Sequence, residues 1–198
     1  MPEWPAALDR GVAGAPIEGE SRSGDVAVFV PTMAGGLACL IDGLGHGPRA
    51  AEAAEAAGEV VREHAEAQAP ELLQACHEAL ADTRGVVMTV AWFDLERETL
   101  SWAGVGNVDA RLVRSGPELR EEVALVFGGV LGYRMPRVRP ATMPLSRGDL
   151  LVMITDGIDG AISPALAAGG AAQAMADRIF EQHGKGNDDA LAVVVRYR

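Results

Sequence analysis

The stretch LACLIDGLGHGPRAAEAAEAA, Leu37 to Ala57, sets an apolar run directly against Asp42, then Gly43, Gly45 and Gly47 with His46 among them, then an alanine-rich segment. GGLACLI (Gly35 to Ile41) has the continuous apolarity of a buried strand. Such a strand therefore ends in a carboxylate on a glycine-rich turn. Gly47-Pro48 opens a helix, because proline at the first helical turn has no N–H to leave unpaired. Arg49 to Gln68 is rich in Ala and Glu, both strong helix formers. Glu52, Glu55, Glu59, Glu63 and Glu66 recur at helical steps and mark a solvated face. Pro70 starts a second helix, PELLQACHEALADTR.

Working outward, DVAVFVPT (Asp25 to Thr32) alternates and is β-branched, so it reads as a strand that forms a hairpin with GGLACLI across Met33 and Ala34. GVAGAPIEGESRSG (Gly11 to Gly24) is turn-rich and holds at most one weak strand. From Val86 the rhythm changes: VVMTVAWFD, ETLSWAGVG and VDARLVR read as consecutive strands joined by short turns. EVALVFGGVLGY adds a strand and a glycine-rich loop, DLLVMITDG a strongly apolar strand, SPALAAGGAAQAMADRIFEQH one helix or a broken pair, and DALAVVVRYR the last strand. Short connections between successive strands imply antiparallel pairing, so the class is α+β and not a parallel doubly wound sheet. Neither a dinucleotide-binding glycine fingerprint nor a phosphate-binding P-loop occurs.

The bulk numbers bound the function. The 198 residues, 48% of them apolar, suit one globular domain spanning 1–198, and aromatics at 5% leave the core to Ala, Val, Leu and Ile. A net charge of −11 argues against nucleic acid and against an anionic membrane surface. It serves solubility or, more pointedly, cation binding. Cys39 and Cys76 make no disulfide framework and read as small buried hydrophobes. No signal-peptide pattern and no membrane-length apolar run is seen, so the expected compartment is the cytoplasm.

The carboxylate of Asp42 is not alone. LLVMIT also ends in an Asp-Gly pair, Asp156-Gly157; Asp25 precedes VAVFV, and Asp188 and Asp189 precede ALAVVV. In antiparallel sheets the starts of some strands lie beside the ends of others, so the aspartates can meet at one edge. One Asp-Gly pair is an ordinary turn; four aspartate positions flanking the most apolar strands form a pattern. An all-oxygen cluster favours Mg²⁺ or Mn²⁺. Two such ions about 4 Å apart can activate water for in-line displacement at phosphorus.

With SGD (Ser23 to Asp25), DGLGHG (Asp42 to Gly47), GVGN (Gly104 to Asn107), GGVLGY (Gly128 to Tyr133), TDG (Thr155 to Gly157) and NDDALAVVV (Asn187 to Val195), the chain resembles the metal-dependent serine/threonine phosphatases of the PPM or type 2C family. The likeness runs from about Ser21 to the end of the chain and is strongest to the bacterial branch of SpoIIE and RsbX. The length and the GGVLGY loop favour the RsbX side. The resemblance implies a four-layer αββα sandwich, two antiparallel sheets flanked by helices, and a centre of two Mn²⁺ or Mg²⁺ ions. It implies that Asp42 bridges both metals, that the Gly43 carbonyl binds one, that Asp156 and Asp188 hold one, and that Asp25 supports the other. Asp189 aligns with a position behind the ligands. The implied substrate is phosphoserine or phosphothreonine on stressosome proteins of the STAS-domain type, attacked by a metal-activated water. Alternatives are a phosphatase of an anti-sigma-factor antagonist and a non-catalytic binding module on the same fold. A monomer is expected.

Departures from the family pattern are specific. Leu44 stands where eukaryotic members carry a histidine proposed as general acid; His46 comes two residues later and is read as ordering the turn. Asn107 replaces an aspartate tied to a third metal in many relatives. The phosphate-gripping arginine has no clear match; Arg22 is nearby but reads as a surface residue. His64, His77 and His183 read as surface or packing residues, Trp92 and Trp102 as core. GGVLGYRMPRVRP is expected to form a flap over the metals, with Arg134, Arg137 and Arg139 a basic patch for an acidic phosphoprotein.

Overall fold

The structure, a computed structural model, describes residues 3–116, 120–160 and 170–198. Among these residues two sheets stack between helices. One sheet contains β1 (Leu8–Ala15), β11 (Ala190–Tyr197), β10 (Leu150–Ile154), β6 (Asp109–Val113) and β7 (Glu121–Val123), in that order. The other runs β2 (Asp25–Pro31), β3 (Gly35–Gly43), β4 (Val86–Asp94), β5 (Thr99–Val105), β8 (Val126–Phe127), with β9 (Ala141–Pro144) also on β5. Helices α1 (Pro48–Glu63) and α2 (Ala69–Ala79) cover the second sheet, and α3 (Ala172–His183) covers the first. The result is the expected αββα order of layers.

Three apolar layers hold it together. Leu40, Ala91, Leu112, Met153 and Val193 pack between the sheets; Cys39, Ile41, Ala54, Leu73 and Met88 pack under α1 and α2; Val152, Ile179 and Val194 pack under α3. β3 is covered on both faces, which is why GGLACLI shows no alternation. Ala50, Ala53, Ala54, Ala57 and Gly58 line the buried face of α1, and such small side chains let the helix lie close on the sheet without aromatic filler. Cys39 and Cys76 are free and buried. Trp102 is buried, and Trp92 is half-buried with its Nε1–H donated to the Ala65 carbonyl at 3.2 Å.

Several expectations are revised. The weak first strand begins at Leu8, in LDRGVAGA, and pairs along its whole length with β11, from Leu8↔Tyr197 to Ala15↔Ala190. Its Asp, Arg and Gly residues hide it locally; the ladder supplies the order. β5 and β6 are not a hairpin, because the chain changes sheets between them. EVALVFGGVLGY splits between the two sheets, and β8 pairs with β5 in parallel over two residue pairs. α1 stops at Glu63, short of Gln68. Of SPALAAGGAAQAMADRIFEQH, residues 163–169 lie outside the described residues, and the rest holds α3.

Candidate metal centre

Asp25 opens β2 and Asp42 lies near the end of β3, and the two are direct partners across the ladder. Asp156 follows the end of β10, and Asp188 and Asp189 precede β11; these strands are neighbours, with Ile154 opposite Ala192. The aspartates thus come from both sheets and gather at one end of the sandwich, not along the edge of one sheet. Thr155 ties the sheets together there. Its hydroxyl donates to Asp25 Oδ2 at 2.8 Å, and the Leu191 N–H donates to that hydroxyl at 2.9 Å.

The glycines after the aspartates serve close approach. A Cβ on Gly43 would stand 2.2 Å from the Ala50 carbonyl oxygen, and one on Gly157 would stand 2.0 Å from that of Asp189. Gly43 is the last residue of β3, with its N–H donated to Gly24 at 3.0 Å. The sequence suggested a flexible turn; the structure has a packed strand end pressed against the first turn of α1.

Each aspartate has its own environment. Asp156 is exposed, and its Oδ2 accepts from Asn107 Nδ2 at 3.0 Å. Asp188 is half-buried, and its Oδ1 accepts the Asp189 N–H at 2.9 Å. Asp189 is buried and accepts two backbone N–H groups, from Ile17 at 2.7 Å and Gly24 at 2.6 Å. Both its oxygens are therefore engaged in fixing the chain that enters β2. Replacing it with Asn, which turns one acceptor into a donor facing an N–H, should lower stability by about 1–3 kcal/mol. Denaturant unfolding checks this, with little change expected from Asp188→Asn.

Asp25 is buried, 7% exposed, and its carboxyl is pushed up to about 8, first by burial and then by Asp42, with smaller contributions from Asp189 and Asp156 and opposition from the Thr155 hydrogen bond. Asp42 is pushed up to about 7 by burial, then by Asp156, Asp188 and Asp189. Five carboxylates thus share one field. Among the described residues no three acidic, His or Cys side chains already close into a metal-binding group. What the end of the sandwich offers is a set of mutually repelling hard oxygen donors, beside a backbone carbonyl at Gly43. That donor chemistry fits Mg²⁺ or Mn²⁺, whose charge would offset the repulsion.

The other candidates lie elsewhere. His46 is exposed and its Nδ1 is 3.1 Å from Glu20 Oε1, within the turn. Arg22 makes a two-oxygen ion pair with Glu55 on the surface of α1, at 2.8 Å to each oxygen. GGVLGY is no free flap: Leu131 is buried and exchanges backbone hydrogen bonds with Val86 at 3.1 and 2.9 Å, and the Gly132 N–H donates to His77 Nδ1 at 3.0 Å. His77 therefore anchors the loop. Since Val86 pairs with Gly43, the loop borders the aspartate cluster as an extension of the sheet. Tyr133, 88% exposed, and the exposed Arg134, Arg137 and Arg139 project from this border segment and its continuation. Two residues near the cluster escaped sequence reasoning. Thr155 was visible only as part of TDG. Lys185, whose Nζ donates to the Asp156 carbonyl at 2.7 Å, is the single lysine among 17 basic residues.

This end of a two-sheet sandwich, with aspartates from both sheets, defines a class. The family model of stage II sporulation protein E (SpoIIE) matches residues 35–198, and the chain belongs to that family. A curated relative, the phosphoserine phosphatase RsbX of Bacillus subtilis (strain 168), is 26% identical over 143 residues, covering 72% of this chain and 70% of the relative. A solved structure from work on the bacterial stressosome, described as a modular system adapted to control secondary messenger signalling, is 30% identical with a TM-score of 0.90, over 96% of this chain and 99% of that one. The crystal structure of RsbX in complex with magnesium superposes with a TM-score of 0.86 at 20% identity, over 96% of both chains. The fold is that of the type 2C phosphatases.

Proposed function

We propose that this chain, as one catalytic domain over residues 1–198, is a metal-dependent phosphoprotein phosphatase that removes phosphate from serine or threonine. The observation that carries the reading is the convergence of Asp25, Asp42, Asp156 and Asp188 from two sheets, in a field that pushes two of them up toward neutral pH. Membership of the SpoIIE family and the likeness to a magnesium complex of RsbX support it. Asp25, Asp42, Asp156 and Asp188 together with the Gly43 carbonyl would hold two divalent ions. Bound there, the ions would supply an activated water and charge neutralisation for displacement at phosphorus. Asn107 orients Asp156, Thr155 orients Asp25, and Asp189 fixes the backbone on which Asp25 stands.

The substrate we propose is a phosphorylated stressosome protein of the STAS-domain type, supported by the likeness to RsbX and to a stressosome-related structure. An anti-sigma-factor antagonist is the second substrate class, since the family model is that of SpoIIE. The proposed setting is a cytoplasmic monomer; among the described residues no helix is long and apolar enough to cross a membrane. Hydrolysis of an aryl phosphate with Mn²⁺, Mg²⁺ or EDTA tests the reaction, and phosphorylated STAS proteins test the substrate. Reversing Arg134, Arg137 and Arg139 to Glu should lower kcat/KM for a phosphoprotein about tenfold through lost charge complementarity, leaving aryl phosphate unchanged.

A further inference from the structure

Lys185 lies in the loop between α3 and β11, three residues before Asp188. The loop is sewn to the segment after β10: the Lys185 N–H donates to the Gly157 carbonyl at 2.9 Å, and the Asp159 N–H donates to the His183 carbonyl at 2.8 Å. An isolated bridge between Ile158 and Gly184 completes the seam. The lysine is therefore held by its backbone beside Asp156, and its ammonium rests on the Asp156 carbonyl. One of its three N–H donors is used there, and the exposed side chain has two more to offer.

Charge balance gives these donors a role. Four ligand carboxylates would neutralise two divalent ions. A phosphoserine or phosphothreonine side chain then brings a further charge approaching −2. In this structure Arg22 pairs with Glu55 and His46 faces Glu20, both at the surface. Asn107 holds Asp156 with a neutral amide. Lys185 brings a basic side chain onto the main-chain carbonyl of one of the four aspartates, Asp156, at 2.7 Å.

Resting on the phosphatase reading, we propose that Lys185 is a substrate-binding residue, whose ammonium pairs with a non-bridging oxygen of the phosphoryl group. Its flexible stem lets it reach from the Asp156 carbonyl to the phosphate without disturbing the carboxylate. A lysine can bind phosphate as a compact point charge on a flexible stem, without the fixed fork geometry that arginine imposes. The other sixteen basic residues are arginines.

The test uses the full chain, with Lys185→Met and Lys185→Arg variants. Expected for Lys185→Met is a 10- to 100-fold fall, roughly the size of a lost charged contact, in kcat/KM for aryl phosphate. Inhibition by inorganic phosphate should weaken by a similar factor, while the calorimetric affinity for Mn²⁺ stays within about twofold. Lys185→Arg should recover part of the phosphate affinity. A matching loss of Mn²⁺ affinity would make Lys185 a positioning residue for Asp156 and overturn the proposal, as would unchanged phosphate inhibition. Wild-type protein that binds Mn²⁺ but hydrolyses no aryl phosphate or phosphoprotein would overturn the phosphatase reading itself, and this proposal with it.

Discussion

Asp42→Asn lowers metal-dependent aryl-phosphate hydrolysis by about a thousandfold or more, equivalent to at least ~4 kcal/mol of lost transition-state stabilisation. Asp42 is a proposed ligand amid the other carboxylates, and an amide in its place brings no charge to balance a cation. The same change has an opposite effect on the metal-free protein. Asp42 faces Asp25 across the ladder and feels Asp156, Asp188 and Asp189, so removing its charge relieves repulsion. The variant in EDTA should therefore melt at or above the wild-type temperature, while the rise in melting temperature on adding Mn²⁺ should disappear. This pairing separates a lost site from a lost fold. A variant that keeps its metal-dependent melting shift would remove Asp42 from the proposed ligands.

The second large effect is on stability as a function of pH. Asp25 and Asp42 are raised in the folded protein, to about 8 and about 7, from an ordinary value of 3.8. Between those limits the folded state holds protons that the unfolded state has released. Their contribution is thus fully present below about pH 4 and is lost as pH rises through about 7 for Asp42 and about 8 for Asp25. Each group alone can tilt stability by up to about 1.4 kcal/mol per pH unit. Between pH 5 and 8 in EDTA, these two groups should make stability decline, and Asp25→Asn should flatten the profile. Saturating Mg²⁺ or Mn²⁺ at pH 8 should restore several degrees of melting temperature, because the cations replace the protons. EDTA profiles that coincide for wild type and Asp25→Asn would show that Asp25 is not buried among like charges.

The regular elements were legible where local signals were strong. VVMTVAWFD forms β4 with the bounds read from its apolarity, and the glutamates of α1 all face solvent. Periodicity reports which face of a segment is covered, and these segments have one clear answer. LDRGVAGA is legible only as a weak strand after Gly11, and ATMP does not read as a strand at all, because their order comes from partners, β11 and β5, far along the chain. The split of EVALVFGGVLGY between two sheets was equally invisible, since sheet membership is a property of the stack.

The sequence by itself determined the all-oxygen chemistry of the candidate centre: aspartates at the ends and starts of apolar strands, with no paired cysteines or histidines to compete. It determined the α+β class, through short strand connections and two proline-opened helices. The resemblance sets Asp189 behind the ligands, but only the tertiary structure decided what occupies it there. Asp25, Asp42, Asp156 and Asp188 share an end of the sandwich, whereas Asp189, adjacent in sequence, spends both oxygens on Ile17 and Gly24. It also turned His46 and Arg22 toward Glu20 and Glu55, and brought Lys185 to Asp156. The physical reason is common to all of these. A residue type fixes which interactions a side chain can make, but the choice among available partners is settled only when distant strands and loops are packed together.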